Sequence, residues 1–396
     1  MEWKPSAGNL EESQRAIIRD CLTALQGGAQ TYKMPWVSGF AGNGKSVVLV
    51  HTMEQLADLN KSALIVFVTF THALKDLIQS SLLPRHRDRI VVKTHTAFIS
   101  DKVAADFVFL DEVQDISKAD LIKINNLTGA MVLAGDFSQS IYPANKPIGL
   151  ADLTSSFNVQ EHRLLKMFRL TKKLAHIVSK LLPKGSFTAG EPVRQEEVPP
   201  RLFKFESSDD ECKWLWEEVK LWVNPRTPAV ILVPFHKNIA QFIEYVSKVE
   251  GLGNPPTRDS SKYRNGDKVT DPYGRVNRFF SSSQLDVTLQ VFGSGSGVAS
   301  LAIADSKKVV LLMTYHSVKG LDFESVFIPM LDNGKKLYPG KESLETDPEI
   351  ERKLLFVAMT RSRRNLFLSF ATPQPHPLVQ GLDLQPLTVD DSDSDY

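Results

Sequence analysis

The chain has 396 residues, enough to bury more than one hydrophobic core, because single cores stop growing near about 250–300 residues. Hydrophobic residues make up 42% and charged residues 23%, an ordinary balance for a soluble globular protein. Forty-seven Lys and Arg against 46 Asp and Glu leave a net charge of +1, which excludes a strongly basic nucleic-acid coat protein; any binding of nucleic acid must come from local patches. Cys21 and Cys212 are too few and too isolated for a disulfide framework or a zinc site. The opening Met1-Glu2-Trp3-Lys4-Pro5 lacks the basic region and apolar run of a signal peptide, and no window approaches the ~20 apolar residues that span a bilayer. These features predict a soluble, cytoplasmic protein with no membrane partner.

Short apolar runs at residues 34–38, 63–70, 90–92, 107–110 and 130–134 are rich in Val, Ile and Phe and bounded by Gly, Asp and Thr, which predicts buried strands. Helix-like stretches at 45–60 and 74–80 separate several of them. The alternation predicts an α/β fold with mostly parallel sheets flanked by helices. A second set of strand-like runs lies at 201–205, 229–233, 309–314, 325–330 and 366–370. Two α/β domains are therefore expected, residues 1–150 and 151–375, with the boundary near 150–155. Between about 251 and 308, Gly, Ser, Asn and Pro become frequent, which predicts a small insertion of lower regularity in the second domain. Residues 376–396 end in Asp390-Asp391-Ser392-Asp393-Ser394-Asp395-Tyr396 and are expected to form an acidic, disordered tail.

Gly39-Phe40-Ala41-Gly42-Asn43-Gly44-Lys45-Ser46 fits the phosphate-loop pattern G-x-x-x-x-G-K-[ST] between a predicted strand and a predicted helix, the context the pattern requires. Gly39, Gly42, Asn43 and Gly44 would let backbone amides wrap phosphate oxygens at a helix N-terminus. Lys45 would neutralise the β- and γ-phosphates of ATP, and the Ser46 hydroxyl would ligate Mg²⁺. Asp111 and Glu112 follow a buried strand. A carboxylate there is costly unless it serves a metal, so Asp111 is read as the Mg²⁺ partner and Glu112 as the residue that orients or deprotonates water. Gln139, in Gly135-Asp136-Phe137-Ser138-Gln139, could touch the γ-phosphate. Taken alone, Asp-Glu after a strand is a common helix cap and Gly-Asp-x-x-Gln an ordinary turn; their weight is positional.

In this order the motifs resemble the UvrD/Rep/PcrA branch of helicase superfamily 1, from Gln14 to about Phe370. The resemblance implies two RecA-like P-loop motor domains. Gln14 would read the adenine edge. Thr69-Phe70-Thr71-His72 and Thr94-His95-Thr96-Ala97-Phe98 are similar to motifs Ia and Ic, which implies that Phe70, Thr71, His95 and Phe98 line a single-strand track, with Tyr142 from motif III. Leu165–Leu170 is similar to motif IV, where Phe168 would stack on adenine and Arg169 reach the γ-phosphate from the second domain. Thr314–Phe323 is similar to motif V, which implies DNA contact by His316 and nucleotide contact by Gly320 and Asp322. Phe356–Arg363 is similar to motif VI, with Arg361 as an arginine finger. The bland readings are that His72 and His95 are structural turn residues and that Phe98 and Tyr142 are core aromatics. The chain departs from the family in three ways: Tyr142-Pro143-Ala144-Asn145-Lys146 lacks the base-stacking tryptophan, Asp322 stands where Glu is usual, and both accessory insertions are minimal. The implied function is a single-stranded-DNA-dependent ATPase of superfamily 1A, a helicase or translocase acting 3′→5′ on single-stranded, forked or partial-duplex DNA. The alternatives are an ATP-gated switch regulating a partner nuclease, with little unwinding of its own, and an RNA-directed member.

Overall fold

A computed structural model describes residues 4–27, 32–182, 192–194, 198–259, 272–292, 304–338 and 347–389. The chain forms two compact units, one built mainly on Glu2–Arg169 and the other mainly on Arg194–Tyr396. The first holds a six-stranded sheet of β1 (Met34–Gly39), β2 (Ile65–Thr69), β3 (Ile90–Thr94), β4 (Ala105–Leu110), β5 (Thr128–Gly135) and β6 (Val159–Leu164). Its order is β3-β2-β4-β5-β1-β6, and every pairing is parallel. β2 reads Ile-Val-Phe-Val-Thr with every residue buried, the composition of a strand covered on both faces. Parallel order requires crossovers, supplied by the helices Lys45–Leu59, His72–Ser81 and Lys118–Asn126 among others. All the strands therefore end at one edge, and the segments that follow β1, β2, β3, β4 and β5 are the ones singled out above.

The first unit runs to Arg169, later than the expected boundary near 150–155, because β6 pairs along the whole of β1. β6 reads Val-Gln-Glu-His-Arg-Leu and is mostly exposed or half-buried, so an edge strand here carries no apolar run to read. A short ribbon of β7 (Met167–Thr171) and β8 (Pro192–Arg194) follows.

The second unit holds a seven-stranded sheet of β9 (Arg201–Lys204), β10 (Ala229–Val233), β11 (Val287–Phe292), β12 (Lys308–Thr314), β13 (Phe323–Ile328), β14 (Ser362–Phe370) and β15 (Pro386–Leu387). The order is β11-β12-β10-β13-β14-β9-β15, again wholly parallel. Trp214, Trp216, Phe242, Phe280, Leu289 and Phe327 meet in its core.

Two expectations are corrected. Within the stretch 251–308, the described residues 272–292 are part of this domain's framework: the helix Gly274–Ser282 packs on β11, every residue of which is buried. Thr288 and Gln290 interrupt the apolar pattern, yet both are buried beside Leu289 and Val291. The buried Asn277 completes the strand's edge, accepting from the Val291 amide at 2.7 Å and donating to its carbonyl at 3.0 Å. Residues 376–389 are likewise not a disordered tail, since Pro377–Gln380 is helical and β15 pairs with β9. The acidic run 390–396 lies outside the described residues. Among the described residues no helix is long and apolar enough to cross a membrane.

Leu289 is fully buried. Leu289→Ala is expected to destabilise the second unit by about 2–5 kcal/mol, read as a lower chemical-denaturation midpoint. Val249→Ala, at a side chain 51% exposed, is expected to stay within about 0.5 kcal/mol of wild type. Equal midpoints for Leu289→Ala and wild type would contradict the place of β11 in the core.

Candidate nucleotide site

β1 delivers the chain into a loop that can turn only through glycine. Gly42 and Gly44 have φ of +80° and +85°, and Gly44 immediately precedes the helix Lys45–Leu59. A Cβ on Gly42 would stand 2.5 Å from the Arg169 Cβ, and one on Gly44 2.6 Å from Gln14 Nε2. Asn43 donates through Nδ2 to the Leu164 carbonyl at 2.6 Å, tying the loop to β6. Lys45 Nζ donates to the Gly39 and Phe40 carbonyls at 2.8 and 3.0 Å. Burial pushes this ammonium down from its ordinary value; the carboxylates of Asp136, Glu112 and Asp111 oppose the shift.

At the tip of β4, Asp111 is buried and accepts from Ser46 Oγ at 2.5 Å and from the Glu112 amide at 2.9 Å. Burial, with the Glu112 carboxylate beside it, pushes the Asp111 carboxyl up to about 6. Glu112 takes a left-handed backbone, φ +58°, unusual for a residue with a Cβ. Gln114, fully buried, donates to Glu112 Oε2 and accepts from the Asp136 amide at 3.0 Å. Asp136 in turn accepts from Gln139 Nε2 at 2.7 Å. One hydrogen-bonded chain thus links the tips of β4 and β5. A hydroxyl and a carboxylate already in contact are the hard oxygen donors Mg²⁺ takes, and Mg²⁺ commonly uses one or two protein ligands together with substrate phosphates. Ser46 and Asp111 fit that ion. Asp136 and Gln114 were not assigned roles from sequence; Asp136 stands in the quoted Gly135–Gln139 stretch and Gln114 two residues after Glu112, and the register of β4 beside β5 brings them together.

Phe168 and Arg169 belong to the first unit, which corrects the expectation that motif IV reaches the site from the second domain. The Phe168 amide donates to the Gly42 carbonyl at 2.9 Å, and Arg169 lies against Gly42. Gln14 lies beside Gly44, but its Oε1 accepts from the Glu11 amide at 3.1 Å in a capping box that starts the helix Glu12–Gln26. The carbonyl oxygen is thus committed to its own helix, while the amide nitrogen faces the loop.

Phe70 and His95 follow Thr69 and Thr94, which are paired in the β2–β3 register, so their rings arrive side by side. They stack at 4.9 Å with 10° between planes, and Tyr142 joins Phe70 at 4.5 Å and 35°. Burial lowers the His95 pKa, which favours a neutral imidazole. The other two residues expected on this face have structural positions. Thr71 is buried and caps the helix His72–Ser81 by accepting from the Leu74 amide at 3.2 Å. Phe98 is 1% exposed within the core cluster around Val66, Val108 and Leu121, so it is not presented as a stacking platform.

In the second unit, Thr314 ends β12 and the reciprocal bonds between Thr314 and Ser317 tighten the turn that carries His316. Gly320 takes φ +86°. Asp322 forms an ion pair with Arg363 at 2.5 Å; this partner was not anticipated from sequence, and it occupies the carboxylate expected to contact nucleotide. Arg361 is buried, with its Nε, Nη1 and Nη2 donating to the Val357 carbonyl, the Leu321 carbonyl and Thr360 Oγ1 at 2.8, 3.2 and 3.1 Å. Its fork is preset by the backbone of the two motifs it joins.

The first unit's loop and Ser46–Asp111 pair, on a parallel sheet, define a P-loop nucleotide-binding protein. Residues 23–145 match the family model described as an AAA domain, and residues 297–373 match the UvrD-like helicase C-terminal domain. The chain is 46% identical over 65 residues to the ATP-dependent DNA helicase Rep of Buchnera aphidicola subsp. Schizaphis graminum, covering 16% of this chain and 10% of Rep. It is 39% identical over 79 residues to the ATP-dependent DNA helicase PcrA of Staphylococcus aureus (strain COL), covering 19% of this chain and 10% of PcrA. These alignments span about a tenth of each relative's length. The solved structure of the PRRSV helicase aligns over 91% of this chain and 55% of that one, at 14% identity and a TM-score of 0.42, too loosely to bear on function. Over these segments the chain is similar to UvrD-like superfamily 1 helicases.

Because the folded state raises the Asp111 carboxyl, it binds more protons than the unfolded state between about 3.8 and about 6. This group's contribution to stability therefore falls as pH rises through that window and stays unfavourable above it. Asp111→Asn keeps an acceptor for Ser46 without the charge. In nucleotide-free protein at pH 7 it is expected to raise the melting temperature, by about 2–4 °C per kcal/mol relieved, with the gap to wild type closing below pH 4. A variant melting at or below wild type at pH 7 would overturn the assignment of a strained, buried carboxylate.

Proposed function

We propose that the chain is a nucleic-acid-dependent ATPase that translocates on, or unwinds, DNA by moving along one strand, 3′→5′ by its motif resemblance. What supports this best is the continuity of the first unit's edge. The hydrogen-bonded chain Glu112–Gln114–Asp136–Gln139 lies beside Lys45, and the Phe70–His95–Tyr142 stack stands next to it. Ser140 Oγ, two residues before Tyr142, donates to the Gln114 carbonyl at 3.1 Å and ties the two together. A base stacking against those rings and a phosphate on Lys45 would thus act on neighbouring groups.

In this reading Lys45 and Arg169 bind the phosphates, Glu112 orients the attacking water and accepts its proton, and Gln139 contacts the terminal phosphate. Gln114 holds Glu112 in place. Ser46 and Asp111 would hold Mg²⁺, which would supply charge to neutralise the phosphates. Arg361, with a preset fork, stabilises the charge that develops on the transferring group. Substrates are ATP and single-stranded DNA, alone or at a fork. A second reading, an ATP-gated switch that regulates a partner nuclease, is favoured by the insertion of the second unit: its described part is absorbed into the sheet as β11 and one helix rather than standing out as an accessory domain.

The test is steady-state ATP hydrolysis with and without oligo-dT, beside Lys45→Ala and Arg361→Ala. Strong stimulation by DNA is expected in wild type, with kcat falling about 10³-fold or more in Arg361→Ala and activity lost in Lys45→Ala. Hydrolysis indifferent to DNA would sink the motor and leave the switch.

A further inference from the structure

The second unit holds a buried polar cluster that no assignment above accounts for. Glu211, in the first turn of the helix Ser208–Leu221, is fully buried, and its carboxylate is used on one side only. Oε1 accepts from the Met330 amide at 2.9 Å and from Ser369 Oγ at 2.6 Å, while Oε2 has no hydrogen-bond partner among the described residues. Met330 lies two residues past β13 and takes φ +63°. Its sulfur faces the helix His236–Val249, where Asn238 Nδ2 donates to Met330 Sδ at 3.4 Å; the buried Asn238 Oδ1 again has no partner among the described residues. Tyr315, fully buried, directly follows β12, and its Oη likewise has none. Because β10 lies between β12 and β13, the segments after these three strands leave the sheet side by side. The Glu211 carboxylate is the charge that acts on the Tyr315 phenol, adding to burial in raising its pKa.

We infer that Glu211 Oε2, Asn238 Oδ1 and Tyr315 Oη form a buried site for one alkali cation, Na⁺ or K⁺. All three unpartnered atoms are oxygens, the donor set that hard cations take. They cannot satisfy one another, because a carboxylate and an amide carbonyl only accept, and the phenol has one proton to give. One acceptor is therefore left over, in a place where an unpaired charged oxygen is costly. The charge of the set points to a monovalent ion. The neighbouring buried carboxylate, Asp332, is already matched: it pairs with Lys335 and accepts from the Ala371 amide at 2.7 Å. That leaves Glu211 as the one negative charge to neutralise. The ion ties two helices to the segment after β12, the turn that carries His316.

The bland alternative is a proton: burial pushes the Glu211 carboxyl up, and a protonated Oε2 can donate within the cluster. Dependence on the identity of the salt cation separates the two. The experiment is thermal melting of the full chain without nucleotide in NaCl, KCl and choline chloride at one ionic strength, for wild type, Glu211→Gln and Tyr315→Phe. Equal ionic strength equalises screening, so a bound ion is what distinguishes the salts. Wild type is expected to melt higher in NaCl or KCl than in choline chloride, with a shift that saturates and is about 3–6 °C at ten times the dissociation constant. Glu211→Gln, whose amide supplies the missing donor, is expected to melt alike in all three salts. Tyr315→Phe, which loses only the oxygen, is expected to need about 10-fold more cation for the half-maximal shift, and decides the matter if Glu211→Gln does not fold. Equal melting of wild type in all three salts would overturn the site, as would a shift that survives unchanged in either variant. The site stands apart from the ATPase reading above, which neither result touches.

Discussion

One constraint organises the first unit: an ammonium and several carboxylates share the edge of a sheet whose strands are themselves buried. Asp111 has almost no access to water and Lys45 is half-buried, and burial pushes each toward its neutral form. Isolated, either group would be expensive in such a place. The fold tolerates them because Lys45 has two carbonyls, Asp111 has Ser46 and a backbone amide, and Glu112, Asp136, Gln114 and Gln139 bond in sequence. Such a site is poised for ligands of both signs, because phosphate on the lysine and a divalent cation on the aspartate each favour the charged form of their partner.

The parallel sheet explains why these groups meet. Each strand returns through a helix, so every strand ends at the same edge, and a short polar segment after each can contribute one side chain. Positive-φ backbone at Gly42, Gly44 and Glu112 marks where the chain must turn sharply to do so. The same logic recurs in the second unit, where the segments after β10 and β13 bring Asn238 and Met330 together and the helix Ser208–Leu221 brings Glu211 to them.

Much of this was legible in sequence. The strand-like runs at 34–38, 90–92, 107–110 and 229–233 are strands, and Ser46 and Asp111 meet as their motifs imply. What failed to show were elements whose residues do not look apolar. β6 is an edge strand with exposed Gln160 and Glu161, and β11 buries Thr288 and Gln290. Periodicity reports burial, and it is blind where polar side chains are buried with partners or where an edge strand faces water. Roles read from motif position were also redistributed. Thr71 and Asp322 were read from motifs as ligand contacts, yet Thr71 Oγ1 accepts from the Leu74 amide and Asp322 pairs with Arg363, while Gln14 has one amide atom committed to its own helix cap.

The chain by itself therefore determined the phosphate loop, the acidic pair and the alternation of strand and helix, because these depend on residues close in sequence and on the steric demands of glycine, lysine and carboxylate at fixed spacing. Tertiary structure alone decided that Arg169 sits on Gly42, that Phe98 is core while Phe70, His95 and Tyr142 stack, that the insertion joins the sheet, and that Glu211 reaches Met330. Those outcomes depend on strand order and on which polar groups are satisfied at a distance. Neither is written in any local window, since a side chain's neighbours across a parallel sheet come from segments separated by a whole crossover.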